Sequence, residues 1–335
     1  MKIIIDAFGG DNAPTEILKG ASLAVKELGV EIIAVGDEEK IRQTILQNGI
    51  DTTGISTVHA PHILKPMDNP LSIRHKDNLT SMAVGLHLLK DGGGDAFVCA
   101  GNTGALVVGG AFIVKRINGI KKPAIGSVLP GDKGPFMLID SGANIDCSAQ
   151  ALRQFAIMGS LYMKNVLGIE NPRVALANIG TESNKGTPLC IEAYKMLKNT
   201  PNINFTGNAE ARDIAFTAAD VVVSDGFTGN IILKMYEGVA LAIMGNIKAV
   251  FTAGIVSKLS YLGIRKGLKL FKKKMDYKEY GGAALIGLQK PVIKAHGSCD
   301  AGAFKNAVRQ AVKYCESGII SKISEQVGDL ENVES

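Results

Sequence analysis

The sequence has no tryptophan, and only 5% of its 335 residues are aromatic. Cysteine is also sparse: five residues, an odd number, stand at positions 99, 147, 190, 299 and 315, with no CxxC pair. This usage argues against a disulfide framework and a structural zinc site, and it favours a reducing cytoplasm. The first residues, MKIIIDAFGGD, carry an acid at position 6 and have no apolar core of a signal peptide, which predicts the same location.

Familiar catalytic constellations are missing as well. The sequence has no GxSxG motif, no evident Cys–His arrangement and no credible cluster of metal ligands. We therefore expect neither a metal nor a cofactor. Asp220 and Asp225 could suggest a metal pair, but one ends a strand and the other starts a loop, so helix capping is the better interpretation.

Charge is missing from Ala96–Val114, a stretch that imitates a membrane span. Its four glycines, with Asn102 and Thr103, favour a buried strand, a turn and a buried helix instead.

Acidic residues are missing between Gly238 and Met275, where eight basic residues lie. Because the whole chain carries only +5, its basic character belongs to that segment and not to the surface in general. We expect no nucleic-acid partner.

What the sequence does contain is an alternation of short apolar strands with helices. Strands are predicted at Lys2–Asp6, Glu31–Gly36, Ile55–His59, Asp95–Ala100, Ala124–Leu129, Phe136–Asp140, Arg173–Ile179, Asn204–Gly207, Asp220–Ser224 and Pro291–Ala295. The alternation predicts an α/β fold with a doubly wound, mostly parallel sheet. We assign residues 1–325 to a single large α/β catalytic domain and residues 326–335 to a disordered tail.

Six strand-to-helix turns are rich in Gly, Asn, Ser and Thr. They are AFGGD (7–11), AGNTG (100–104), SGAN (141–144), GTESNKG (180–186), DGFTGN (225–230) and AHGSCD (295–300). Helix N-termini with small residues expose free N–H groups that bind oxyanions. An ordinary helix cap has the same composition, but six such turns in one chain indicate an anion site at the carboxyl edge of the sheet.

Two side chains in these turns can stabilise negative charge. Lys185 can neutralise a phosphate or an oxyanion as a point charge, unless it is a solvated loop lysine. Asn230 can donate its amide N–H to an oxyanion, unless it is an ordinary helix cap. The residues expected to bind substrate or phosphate are Gly9, Gly10, Asp11, Asn102, Thr103, Gly104, Asn144, Gly229 and His296.

The basic segment, residues 238–276, is expected to form an inserted amphipathic helical hairpin that projects from the domain. Bulky apolar residues alternate there with Lys and Arg, and glycines favour a bend between two helices. One interpretation is a pair of dimer-contact helices, the other is contact with an anionic membrane surface, and both hold if the hairpin projects from a dimer. The expected membrane-contact residues are Ile255, Leu259, Leu262 and Lys266.

The motifs DAFGGD, AGNTGAL, GTESNKG, GNAEARD, SDGFTGN, YGGAALIGL and VIKAHGS, in this order, resemble the acyl-carrier-protein:phosphate acyltransferase family. The resemblance runs from Lys2 to about Ser317. Phe8 stands where the family usually has Met, and Ser141 where Val is more usual. The resemblance implies a fold like that of isocitrate and isopropylmalate dehydrogenases and of phosphotransacetylases, and it assigns catalysis to Lys185 and Asn230.

The same resemblance implies transfer of a fatty acyl group from acyl carrier protein to inorganic phosphate, which supplies acyl phosphate for phospholipid synthesis. It implies a homodimer at the inner face of the cell membrane, with a membrane glycerol-3-phosphate acyltransferase as a further candidate partner. Such a reaction needs charge neutralisation and positioning more than a strong base. The alternatives are a short-chain phosphotransacetylase that uses acyl-CoA and a non-catalytic membrane-docking scaffold.

Overall fold

The structure, a computed structural model, describes residues 1–75, 77–254, 257, 260–261, 263–268, 271 and 280–334, with side chains described as far as residue 328 in the last helix. The strands are β1 (Lys2–Asp6), β2 (Glu31–Gly36), β3 (Ile55–His59), β4 (Ala96–Cys99), β5 (Ala124–Pro130), β6 (Pro135–Ile139), β7 (Arg173–Asn178), β8 (Asn204–Glu210), β9 (Val221–Val223), β10 (Ala283–Ile286) and β11 (Val292–Lys294).

The helices surround this sheet. They are α1 (Thr15–Leu28), α2 (Glu38–Asn48), α3 (Ser81–Lys90), α4 (Thr103–Gly109), α5 (Ala149–Asn165), α6 (Pro188–Lys198), α7 (Ala211–Ile214), α8 (Gly226–Thr252), α9 (Ala301–Glu316) and α10 (Ile319–Glu334). A 3₁₀ turn spans Pro70–Arg74, and α4 continues as a wider π-type turn over Gly110–Lys115.

The eleven strands form one sheet in the order β3-β2-β1-β4-β11-β10-β5-β6-β9-β7-β8. Most neighbours are parallel, but β10 is antiparallel to β11 and β5, and β5 is antiparallel to β6. The strands from β6 to β8 therefore run opposite to those from β3 to β11. This confirms the predicted α/β class with a mostly parallel sheet.

The reversal in strand direction corrects one expectation. The turns after β1, β4 and β11 follow strands of one direction, whereas the turns after β6, β7 and β9 follow strands of the other. The six glycine-rich turns thus lie at two opposite edges of the sheet and do not share one carboxyl edge. Any site that combines both groups has to lie across the sheet where its two halves meet.

The core lies on both faces of the sheet because strand residues alternate sides. On β1, Ile3 and Ile5 belong to one buried cluster, and Ile4 belongs to another on the opposite face. Under the second half of the sheet, Phe136 and Leu138 of β6 form a third cluster with Val222 of β9. Burial on both faces explains why the strands are continuous apolar runs.

The structure differs from the prediction in one segment and describes only part of another. The predicted disordered tail from residue 326 is instead part of α10, which extends to Glu334. Ile319, Ile323 and Val327 of this helix are buried, at a spacing that puts them on one helical face. The first residues of the expected hairpin at 238–276 belong to α8, which runs without interruption from Gly226 to Thr252. Ile255, Leu259 and Leu262 lie outside the described residues, and Lys266 is exposed.

Candidate active site

A cleft of about 370 Å³ lies beside β5 and β10, where the two halves of the sheet meet. One wall is α8, and the opposite wall is formed by the turns after β4 and β11. The lining residues are Thr103, Ile125, Ser127, Val128, Leu129, Ser141, Gly142, Asn230, Leu233, Lys234, Glu237, Gly281, Gly282, Ala283, Lys294, Ala295, His296, Gly297, Cys299 and Ala303. The cleft thus joins polar donors to an apolar wall contributed mainly by β5.

The first turns of α8 separate this cleft from a second pocket. Asn230, Lys234 and Glu237 face the cleft, at the spacing of one helical face. Thr228 and Ile231 face the second pocket, which the turn after β7 also lines. The two cavities therefore use different faces of one helix, and no residue lines both of them.

The N-terminus of α8 is fixed by packing and by a side-chain cap. Asp225 accepts hydrogen bonds from Thr228, at 2.9 Å from the backbone N and 2.7 Å from the hydroxyl. This confirms Asp225 as a helix cap and shows that Asn230 is not one, because Asn230 lies in the second turn. Asp220 was expected to be a cap but instead pairs with Arg173, whose Nη2 lies 3.0 Å from the carboxylate.

Close backbone approach holds α8 against the turn after β6. A Cβ atom on Gly229 would lie 1.9 Å from the carbonyl oxygen of Asp140, and one on Gly226 would lie 2.6 Å from that of Asn144. The Gly226 N–H donates to the same Asn144 oxygen at 2.7 Å. Gly229 and Asn144, both expected to bind substrate, therefore bring Asn230 to the cleft through packing.

Asp140 organises the SGAN turn from inside the protein. Its buried carboxylate accepts hydrogen bonds from the backbone N–H groups of Gly142 (3.1 Å), Ala143 (2.9 Å) and Asn144 (2.7 Å). The Asn144 side-chain amide also donates to it, at 2.8 Å. Burial raises the pKa of Asp140 above its ordinary value, and these hydrogen bonds act in the opposite direction. The turn is consequently rigid where it forms the floor of the cleft at Gly142.

The turns after β1, β4 and β11 pack on one another behind the cleft. The Asp11 N–H donates to the Gly297 carbonyl at 2.8 Å. A Cβ on Gly10, whose φ is +104°, would lie 2.9 Å from the same oxygen, and one on Gly9 would lie 2.7 Å from the Gly101 nitrogen. In the described structure Gly9, Gly10 and Asp11 do not line the cleft; they support the turns that do.

A buried pair lies beneath these turns. The Cys99 thiol donates to an Asp6 carboxylate oxygen at 3.3 Å. Burial raises the pKa of Cys99 well above that of an ordinary thiol, and burial also raises the pKa of Asp6. Cys99 is therefore a neutral donor and not a thiolate nucleophile.

The turn after β4 contributes one lining residue. Asn102 caps α4 by accepting from the Ala105 N–H at 3.0 Å, and its amide donates to the Pro66 carbonyl at 3.0 Å. A Cβ on Gly104 would lie 3.1 Å from Pro70, so this glycine also serves packing. Thr103, between them, lines the cleft as predicted.

The turn after β11 contributes His296 and Lys294. The Ser298 N–H donates to Nδ1 of His296 at 3.2 Å, so the neutral ring carries its proton on Nε2. Lys294 ends β11, and its Nζ donates to the carbonyl oxygens of Ala100 at 3.1 Å and Ala295 at 2.5 Å. Burial lowers the pKa of Lys294 below the usual lysine value.

The other predicted catalytic residue, Lys185, is exposed and does not line the cleft. Its backbone carbonyl accepts from the Asn178 amide at 3.0 Å, which fixes the loop but leaves the side chain in solvent. The flanking Gly186 borders the second pocket. Of the predicted site residues, the structure thus brings Thr103, Asn230 and His296 together and places Lys185 on the far side of α8.

One described helix, α8, is long and apolar enough to cross a membrane by length and composition alone. Its first turns line the cleft, and further along it Met235, Leu241 and Val250 are 66%, 68% and 64% exposed. Tyr236 anchors the helix through a hydrogen bond from its hydroxyl to the Pro130 carbonyl and an edge-on contact with Phe136. The helix is therefore attached at its start and uncovered along its remaining length.

Comparison with known proteins decides the family. A family model described as "Fatty acid synthesis protein" matches residues 1–322. A phosphate acyltransferase of Alkaliphilus oremlandii is 46% identical over 331 residues, which make up 98% of each chain. The chain belongs to the phosphate acyltransferase family. It is accordingly an enzyme that transfers acyl groups.

Solved structures share the fold of this phosphate acyltransferase family member. A phosphotransacetylase from Streptococcus pyogenes matches with a TM-score of 0.63 at 19% identity, over 95% of this chain and 94% of that one. A 4-hydroxythreonine-4-phosphate dehydrogenase from Klebsiella pneumoniae matches with a TM-score of 0.54 at 13% identity, over 94% and 99% of the two chains. At these identities the likeness shows the fold alone, and it confirms the expected fold, which is shared with a phosphotransacetylase and a dehydrogenase.

Sequence reasoning assigned no role to several polar residues of the cleft, including Lys294, Lys234 and Glu237. Lys294 stands in the VIKAHGS motif directly before a glycine-rich turn, so its position at a strand end was a usable signal. Lys234 and Glu237 follow Asn230 by four and seven residues, and helical periodicity places them on its face.

Proposed function

We propose that this acyltransferase moves a fatty acyl group from an acyl carrier protein thioester to inorganic phosphate. One observation carries the proposal: Asn230 and apolar residues of β5 line the same cleft. The chain that holds this cleft belongs to the phosphate acyltransferase family. A polar end suits a reacting thioester and phosphate, and an apolar wall suits an acyl chain.

The proposed reaction is a direct attack. A phosphate oxygen forms a bond to the thioester carbon, the carbon–sulfur bond breaks, and the carrier leaves as a thiolate that takes a proton from water. Phosphate at neutral pH is largely a dianion and needs no strong base, so the protein's task is positioning and charge stabilisation. This fits a cleft whose polar groups are mainly donors.

In this proposal Asn230 donates its amide N–H to the thioester oxygen as negative charge develops there. Backbone N–H groups of the glycine-rich turns position phosphate, and Lys185 offsets repulsion between the phosphate and the developing oxyanion. Lys185 lies outside the cleft of a single chain, so its role requires that the 179–187 loop bring it to the reacting groups.

The acyl donor separates this proposal from a short-chain phosphotransacetylase that uses acyl-CoA. Purified protein incubated with labelled phosphate and long-chain acyl carrier protein thioester should form labelled acyl phosphate, trapped as the hydroxamate. Acetyl-CoA serves as the matched donor, with equal thioester concentration. Phosphate incorporation from acetyl-CoA alone would contradict the proposed donor and chain length.

We also propose that the enzyme is a homodimer and that α8 takes part in the contact. The support is the apolar surface that α8 leaves uncovered, for example at Met235, Leu241 and Val250. Single exposed apolar side chains are normal, but several along one helix indicate an interaction surface. Sedimentation equilibrium should give twice the chain mass, and Leu241→Glu should shift the species toward monomer. A wild-type monomer at micromolar concentration would contradict the proposal.

The basic segment is proposed to hold the enzyme at the inner face of the cell membrane, where a membrane glycerol-3-phosphate acyltransferase could receive its product. The support is the run of basic residues between Gly238 and Met275 and the exposure of Lys266. Each such residue contributes about 1 kcal/mol near an anionic surface, weakened by salt. Co-sedimentation should occur with anionic but not neutral vesicles and should weaken with Lys266→Glu; equal binding to both would contradict it.

A further inference from the structure

The cleft contains a lysine that forms no ion pair at contact distance among the described residues, although the Asp11 carboxylate acts on it from further away. Lys294 is partly buried at the end of β11, and its Nζ donates to two backbone carbonyls, those of Ala100 and Ala295. Across the residues that the structure describes, it forms no ion pair with a carboxylate. An ammonium has three N–H donors, so one remains beyond those two bonds.

The other lysine on the cleft wall is different. Lys234 projects from α8 and pairs with Glu237 at 2.8 Å, so its charge is compensated locally. A comparison outside the cleft gives the same contrast: Lys305, with a side chain only 17% exposed, pairs with Glu27 at 2.7 Å. Lys294 is thus a partly buried cation without a carboxylate at ion-pair distance, which the other two lysines have.

A partly buried charge without a counter-ion is costly, and its environment shows the cost. Burial lowers the pKa of Lys294 and the Lys234 ammonium lowers it further, while the Asp11 carboxylate acts in the opposite direction. An anion beside Nζ would stabilise the ammonium. A purely structural role, in which Lys294 links the ends of β4 and β11 through its two carbonyl bonds, does not need a positive charge. A neutral donor would form the same bonds.

The neighbourhood suits a tetrahedral oxyanion. Thr103 lines the cleft at the N-terminus of α4, and Asn230 lines it from α8. His296 lines the cleft two residues after Lys294; its Nδ1 accepts from the Ser298 N–H, so Nε2 is the donor whenever the ring is neutral. Hydroxyl, amide, imidazole N–H and ammonium are all able to donate to phosphate oxygens.

We propose that Lys294 is a substrate-binding residue that holds the attacking inorganic phosphate in the cleft, opposite Asn230. This inference rests on the proposed function for the identity of the reaction, but it assigns the phosphate-neutralising charge to a residue of the cleft itself. Lys294 orients the dianion through one N–H while its bonds to Ala100 and Ala295 keep the ammonium in place.

The direct test is phosphate binding by calorimetry, without any acyl donor. Lys294→Met, which keeps the length of the side chain and removes the charge, should weaken binding of inorganic phosphate at least tenfold. Lys305→Met, a matched loss of a partly buried lysine outside the cleft, should bind like wild type. A folded Lys294→Met protein that binds inorganic phosphate as tightly as wild type overturns the proposal.

A measurement on the wild-type protein covers the case in which Lys294→Met does not fold. Amine acetylation followed by peptide mass spectrometry should label Lys294 less in excess inorganic phosphate than in chloride at equal ionic strength, with labelling of Lys305 unchanged. Protection by free phosphopantetheine but not by inorganic phosphate overturns the proposal, since the lysine would then hold the carrier's phosphate. Equal labelling in both salts also overturns it.

Kinetics separate this proposal from the proposed function. Lys294→Arg, which keeps the charge, should raise KM for phosphate more than tenfold while KM for the acyl donor stays within twofold. If wild type forms no acyl phosphate, the proposed function fails, but phosphate binding and protection still decide the role of Lys294. If wild type is active and Lys294→Arg and Lys294→Met have an unchanged KM for phosphate, only the assignment of Lys294 fails.

Discussion

The two cavities on either side of the first turns of α8 differ in what they offer an anion. The cleft presents the Asn230 amide and the Lys294 ammonium, held by packed turns. The second pocket is bounded by Ile179, Ile231 and a turn in which Lys185 is exposed. A cation in solvent is screened and flexible, whereas a desolvated one acts on its ligand at lower effective dielectric. The comparison favours the cleft as the place of chemistry.

The largest effect is expected at Asn230. Asn230→Ala should lower kcat roughly 10²–10³-fold, the scale of losing one oxyanion donor. Because Asp225 and not Asn230 caps α8, thermal stability should stay within about 0.5 kcal/mol of wild type. Asn246→Ala, the same change further along the helix, should leave kcat near wild type. A variant with normal kcat and reduced stability would show that Asn230 matters for the helix and not for the reaction.

Lys185 tests whether the second side of α8 contributes to the reaction. Lys185→Ala should lower kcat roughly 10²-fold, the lower end of the same scale, with little change in the free energy of unfolding because the side chain is exposed. Lys198→Ala, at the exposed end of α6, is the matched control. Steady-state assays that give wild-type kcat for a folded Lys185→Ala enzyme would confine the chemistry to the cleft.

Gly229 tests how the cleft is assembled. Gly229→Ala would place a Cβ atom 1.9 Å from the Asp140 carbonyl oxygen, which only a backbone shift in α8 or in the turn after β6 can relieve. Chemical denaturation should show a loss of about 1–3 kcal/mol. Gly245→Ala, where an added Cβ meets nothing within 4 Å, should cost nothing. Unchanged stability in Gly229→Ala would mean that the close approach does not set the position of α8.

Much of the fold could be predicted because strands buried on both faces are continuous apolar runs. All ten predicted strands are present, with ends shifted by at most three residues. The missed strand, β10, has only four residues between glycines, and Gly281 and Gly282 both have positive φ. Its antiparallel placement depends on pairing with β5 and β11, which no local pattern records.

The site was predictable in its parts but not in its assembly. Composition indicated the glycine-rich turns, yet several of their residues, such as Gly9 and Asn144, serve close packing and hydrogen bonding behind the cleft. The antiparallel strands in the middle of the sheet send the turns to opposite edges. Asn230 meets His296 because the cleft crosses the sheet at β5 and β10, whereas Lys185, which follows a strand of the same direction as the one before Asn230, does not line it.

The measurement that tests the central claim most directly is a crystal structure of the enzyme soaked with arsenate, a tetrahedral analogue of phosphate that can be located by anomalous scattering. We expect one arsenic peak in the cleft, with arsenate oxygens within hydrogen-bonding distance of Lys294 Nζ and Asn230 Nδ2. An arsenic peak in the second pocket beside Lys185, with none in the cleft, would contradict it.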